Sequence, residues 1–139
     1  MSHFKGGRID TLARDMTWDM KLTIARHMVF KRCPWKGEVV VRQGDEDGHE
    51  FYFIFKGIFT VWDDHPQQRN SRRTLIAHLH EGQSFGEQSL ILDEPRSATV
   101  MADNNEKDSM TSDGELLIIT REAFKEVSGV GSWRAPILF

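Results

Sequence analysis

One cysteine, Cys33, stands in a chain of 139 residues, so an internal disulfide is excluded and buried apolar surface has to hold the fold. A lone thiol suits a reducing compartment. Placed beside Pro34, it reads as a small apolar residue rather than a reactive group. No apolar run approaches the length that spans a membrane, and MSHFKGGRID lacks the apolar core of a secretory leader. A basic excess is also missing: 18 Lys and Arg face 21 Asp and Glu, for a net charge of -3 and a pI near 6.1. That argues against a nucleic-acid binder, which usually shows a basic face. There is no repeat array and no second domain. The expectation is one cytoplasmic domain without a membrane span, with residues 1–9 unstructured or vector-derived.

What is present is an ordinary globular balance, 39% hydrophobic and 28% charged. Leu12, Met16, Met20, Ile24 and Met28 recur every four residues, which predicts an N-terminal helical segment within 10–36, running from Asp10 to Arg32 with a break near Thr17 and stopped by Cys33-Pro34. From residue 37 the pattern becomes that of strands: Glu38–Arg42, Phe51–Phe55, Ile58–Trp62, Arg73–His80, Ser84–Phe85, Ser97–Ala102 and Glu115–Thr120. Gly37, Gly44 and Gly57 read as turn positions, 63–72 as a hairpin loop, and 103–114 as a long polar loop. Thr120 and Glu122 mark the start of a last helix at 121–127, followed by a tail to Phe139. Short strands at hairpin spacing between 37 and 120, flanked by helices, predict a mainly β fold of the antiparallel barrel or jelly-roll kind.

Within this frame, FGEQSLILDEPRSATV (Phe85–Val100) sets Arg96 nine residues after Glu87 among small residues. Gly86 permits unusual backbone geometry. The segment Gln88–Leu92 is about one helical turn, with free N–H groups at its start. Asp93-Glu94-Pro95 turns the chain back. Two readings stand side by side. Glu87 and Arg96 pair with each other on a surface turn, which contributes little. Alternatively, they line a pocket in which Arg96 takes a phosphate through two parallel hydrogen bonds and Glu87 accepts from a neighbouring hydroxyl.

FGEQSLILDEPRSATV resembles the phosphate-binding cassette of the cyclic nucleotide-binding domain family. GEVVVRQGDEDGHEFYFIFKGIFTVW upstream is similar to the family's early strands, and LLIITREAFKEV downstream to its last strand and following helix, so the likeness covers residues 16–127. It implies an eight-stranded antiparallel β-roll with flanking helices, carrying the cassette at 85–100. It implies a regulatory binding module with no catalytic residues and no prosthetic group. The ligand would be cyclic AMP, slightly favoured, or cyclic GMP, and an effector outside this chain would read its binding through the end helices. Glu87 would take the ribose 2′-OH and Arg96 the cyclic phosphate, with Gly86, Gln88, Ser89, Ser97 and Ala98 around them. The sequence departs from the pattern at Gln88, where an aliphatic residue is usual, and at Ser89, where alanine is commoner. The 103–114 loop is longer than the family's, and Gly129, Gly131 and Pro136 disfavour a further helix closing over the base. Two other functions are compatible with the sequence: a degenerate roll serving as a scaffold, and a metal-dependent enzyme of the cupin kind using His78 and His80 on one strand face. His49 and His65 read as surface residues.

Overall fold

The computed structural model describes residues 7–8, 17–46, 48–65, 72–88 and 94–128. Its strands are β1 (Gly7–Arg8), β2 (Val29–Trp35), β3 (Val39–Val41), β4 (Glu50–Lys56), β5 (Ile58–Asp63), β6 (Thr74–Leu79), β7 (Gln83–Phe85), β8 (Thr99–Asp103) and β9 (Thr111–Thr120). Helix α1 (Trp18–His27) precedes β2, and helix α2 (Arg121–Ser128) follows β9. Two sheets form, one in the order β1-β7-β4-β9-β2 and one in the order β3-β8-β5-β6. Every pairing is antiparallel. Leaving aside the two-residue β1, this is the expected eight-stranded roll.

The sheets face each other across one apolar layer. The first contributes Tyr52, Ile54, Phe85, Leu116 and Ile118, and the second Val41, Phe59, Val61, Leu79, Val100 and Ala102. Strand β4 is apolar on both faces because both are covered. Tyr52 and Ile54 point into the roll, while Phe51 and Phe53 point outward against Met20 and Ile24 of α1 and Ala123 of α2. Thr17 caps α1 by accepting from the Met20 N–H at 3.2 Å, and Thr120 caps α2 by accepting from the Ala123 N–H at 3.3 Å. Gly44 and Gly57 both hold positive φ in turns, as expected of them. Among the described residues no helix is long and apolar enough to cross a membrane.

Three expectations are corrected. First, the predicted helix to Arg32 stops at His27, and Val29–Trp35 is strand β2, paired with β9 from Val29↔Ile118 to Trp35↔Thr111. Met28 continues the four-residue spacing, but its backbone is already extended, at φ -68 and ψ 137. A β-branched Val29 and a waiting partner strand outweigh the local helical pattern. Cys33-Pro34 therefore lies inside a strand, at a register shift between Cys33 and Trp35 where proline's missing N–H does no harm. Second, the predicted unstructured stretch 1–9 contains β1, which pairs Gly7 with Ser84 and Arg8 with Gln83. Third, the polar loop predicted over 103–114 is shorter. Strand β9 begins at Thr111, and Asn104 ties the loop by donating its amide to the Ser109 and Thr111 carbonyl oxygens. Leu12 and Met16 lie outside the described residues, as does the tail from 129.

Phe85 is fully buried, with its ring stacked on Tyr52 at 4.8 Å between centroids and tilted against Phe59 at 6.3 Å. Phe85→Ala is expected to lower unfolding free energy by about 3–5 kcal/mol. Urea denaturation measures this, and a loss under about 1 kcal/mol would contradict the packing described.

Candidate functional site

Strand β7 delivers the chain to Gly86, whose φ of +93 turns it sharply, and Glu87 and Gln88 begin a helical turn. On the return, Arg96 is fixed by its backbone before its side chain is considered. Its N–H donates to the Asp45 carbonyl oxygen at 3.0 Å, and its own carbonyl oxygen accepts from the Gly44 N–H at 2.8 Å. The cassette is thereby tied to the loop between β3 and β4.

The Arg96 side chain then turns inward and is only 5% exposed. Nη1 donates to the Gly86 carbonyl oxygen at 3.1 Å and Nη2 to the Glu50 carbonyl oxygen at 2.8 Å, while Nε has no hydrogen-bond partner among the described residues. The guanidinium also sits 5.7 Å from the centre of the Tyr52 ring. Tyr52 is held by its stack on Phe85 and by its hydroxyl, which donates to Glu50 Oε2 at 2.7 Å. Burial lowers the Arg96 pKa, against which Tyr52, Glu50 and Asp45 favour the charged form. Space for the guanidinium comes from two glycines. A Cβ at Gly48 would lie 2.7 Å from Arg96 Nε, and one at Gly86 would lie 2.6 Å from Nη1.

Glu87 is 3% exposed, and among the described residues neither of its carboxyl oxygens has a hydrogen-bond partner from another residue. Burial pushes its carboxyl up to about 7, partly opposed by its own backbone N–H. Of the two readings left open by the sequence, the surface ion pair is therefore not formed. Both groups are inside, and Arg96 is bonded to carbonyl oxygens.

Gly86, Glu87, Gln88, Arg96, Ser97 and Ala98 line one hollow, with Val41, Phe85, Pro95 and Val100 as the remaining wall. Ser89 lies outside the described residues. Six of the seven expected site residues thus meet at one place. The sequence reading missed Gly48, Glu50 and Tyr52, which shape and hold the guanidinium from β4 and the loop before it. Their one local signal is a glycine three residues before the aromatic run that starts at Phe51. Behind the hollow, Thr99 donates to Asp64 and accepts from the Gln43 N–H at 3.0 Å, and Gln43 donates to Asp63 at 3.1 Å. This polar network joins the β5–β6 hairpin to the start of β8. His78 and His80 are exposed beside the buried Leu79. Among the described residues, no three His, Cys, Asp or Glu side chains group as metal ligands.

Residues 35–128 match the family described as the cyclic nucleotide-binding domain. Over 94 residues, 68% of this chain and 11% of the relative, the sequence is 34% identical to cGMP-dependent protein kinase 2 of Homo sapiens. Over 64 residues, 46% of this chain and 19% of the relative, it is 42% identical to the cAMP-dependent protein kinase regulatory subunit of Dictyostelium discoideum. In fold it is similar to the regulatory domain of Toxoplasma gondii PKA solved with cAMP, with a TM-score of 0.69 and 22% identity, covering 87% of this chain and 42% of that one. The chain belongs to the cyclic nucleotide-binding domain family, and the matched segment is a binding domain. It spans less than half the length of each of these relatives.

Two predictions follow from the geometry. Gly48→Ala places a methyl group against Arg96 Nε, so the guanidinium must move. The expected result is a weaker hold on anionic ligand, by about tenfold or more, with a melting temperature changed by only a few degrees; calorimetric titration and a thermal melt read the two separately. The second concerns pH. With Glu87 raised from 4.5 to about 7, the folded chain binds more protons than the unfolded chain between those values. The neutral carboxyl's contribution to stability is therefore complete below the unfolded value and is lost as pH rises through the folded one. Glu87→Gln cannot ionise, and it should exceed the wild type in stability by up to about 3 kcal/mol at pH 8, with the gap closing toward pH 5. Urea melts at both pH values decide this; an equal difference at each would refute it.

Proposed function

We propose that this domain is a cytoplasmic sensor that binds a cyclic nucleotide in the hollow and passes the binding event through α1 and α2 to an effector outside the chain. The observation that carries the reading is Arg96: a buried guanidinium with a free Nε, held by neutral carbonyl oxygens and sharing its hollow with a buried, unpartnered Glu87. An anion with a hydroxyl donor beside it satisfies both. A cyclic phosphate takes the free guanidinium valences, and the neighbouring ribose 2′-OH donates to Glu87. Gly86, Gln88, Ser89, Ser97 and Ala98 complete the contacts, with amide N–H groups and the Ser97 hydroxyl on the phosphate side. The base lies against the apolar wall of Val41 and Val100. The relatives include kinases named for cGMP and for cAMP, and a Ser97 hydroxyl serves either ligand; cyclic AMP is slightly favoured here.

Helix α1 and helix α2 pack on the outer face of β4, and β4 holds the Arg96 guanidinium through the Glu50 carbonyl oxygen and the Tyr52 ring. That arrangement supports transmission as a shift in population between helix placements. The alternative, a scaffold that binds no nucleotide, draws support from the exposed Trp18, Val29, Phe30 and Trp35 on α1 and β2.

A thermal melt with each cyclic nucleotide separates the readings. Ligand at a hundredfold over Kd is expected to add about 2.7 kcal/mol of stability, a rise of several degrees. Arg96→Glu should abolish that rise. No shift with either ligand would favour the scaffold.

A further inference from the structure

The fold treats the two buried charged groups of the hollow unequally. Arg96 has two carbonyl acceptors, whereas among the described residues the Glu87 oxygens have no donor outside their own residue. A buried carboxylate without a donor is costly, and the neutral acid is far less so. Among the described residues, the charged groups that line the hollow are Glu87 and Arg96, while Asp45 in the loop before β4 and Glu50 and Tyr52 on β4 surround the guanidinium. Asp45, Glu50 and Tyr52 act on Arg96. Glu87 responds chiefly to burial, which raises it to about 7, and otherwise only to its own N–H. Among the described residues, no donor from another residue offsets that burial.

We propose that the domain exchanges a proton for its ligand: Glu87 is a carboxylic acid before ligand binds and releases its proton to solvent when a ribose hydroxyl arrives to donate to it. The inference rests on the cyclic nucleotide reading above and adds a dependence of affinity on pH. The hydroxyl keeps its own hydrogen and donates a hydrogen bond. The carboxyl proton leaves to buffer, and the charge balance of the hollow becomes guanidinium, carboxylate and cyclic phosphate. Binding therefore weakens on acidification, because protonation of Glu87 competes with ligand.

Calorimetric titration of the full chain with cyclic AMP and with cyclic GMP, at pH 6 and pH 8 in two buffers of different ionisation enthalpy, counts the protons. The expected result is release of close to one proton per ligand at pH 6 and almost none at pH 8, with affinity about tenfold tighter at pH 8. A 2′-deoxy cyclic nucleotide lacks the donor; it should bind more weakly and release no proton. Glu87→Gln should bind with no pH dependence. Binding of the parent ligands without proton release at pH 6 overturns the inference while leaving the cyclic nucleotide reading intact. Release that persists with the 2′-deoxy ligand or in Glu87→Gln also overturns it, by assigning the proton to another group. Failure of both cyclic nucleotides to bind at either pH overturns the cyclic nucleotide reading and this inference with it.

Discussion

Arg96 carries a positive charge into a nearly closed interior with only backbone carbonyls as its hydrogen-bonded partners. Carbonyl oxygens orient a guanidinium without neutralising it, so its charge stays available to an incoming anion. Two direct consequences are visible in the surrounding sequence. Glycines stand at 48 and 86 because a side chain at either would occupy the space of the guanidinium. An aromatic ring lies beneath it at Tyr52, which tolerates the cation without quenching it. An acid bonded directly to Arg96 would have stabilised the empty fold and closed the site.

Strand β4 does two jobs through strict alternation. Glu50 and Tyr52 hold the guanidinium and face the roll, and Phe51 and Phe53 between them meet the helices. The T-shaped contact of the Phe51 and Phe53 rings, 4.6 Å between centroids, fills the layer under α1 and α2. A displacement of β4 at the hollow is therefore also a displacement of the surface on which both helices rest. Close packing gives little slack to absorb it.

Much of the fold was legible because its signals are local. Aromatic and β-branched runs bounded by glycine marked β3, β4 and β5, and Thr120 marked the start of α2. The spacing of Glu87 and Arg96 pointed to the cassette. What the sequence concealed depends on partners far along the chain. Met28 keeps helical spacing with Ile24, yet Val29 and Phe30 are claimed by Ile118 and Leu117 almost ninety positions later. Thr111–Gly114 looks like loop because its residues are polar, and it becomes strand only through pairing with Cys33 and Trp35 of β2. The isolation of Glu87 was equally hidden. Charge spacing suggested a pair, and only the three-dimensional position of the Gly86 and Glu50 carbonyls shows where the guanidinium goes instead.

Cys33 belongs to β2, an edge strand, yet its side chain is wholly buried against the roll and burial raises its thiol to about 11. It is the chain's one sulfhydryl. A thiol that is both shielded and protonated barely reacts, so alkylating reagents meet it only when the outermost strand peels away. The molecule thus carries an internal clock for edge fraying, in which the rate of covalent labelling reports how often the sheet margin opens.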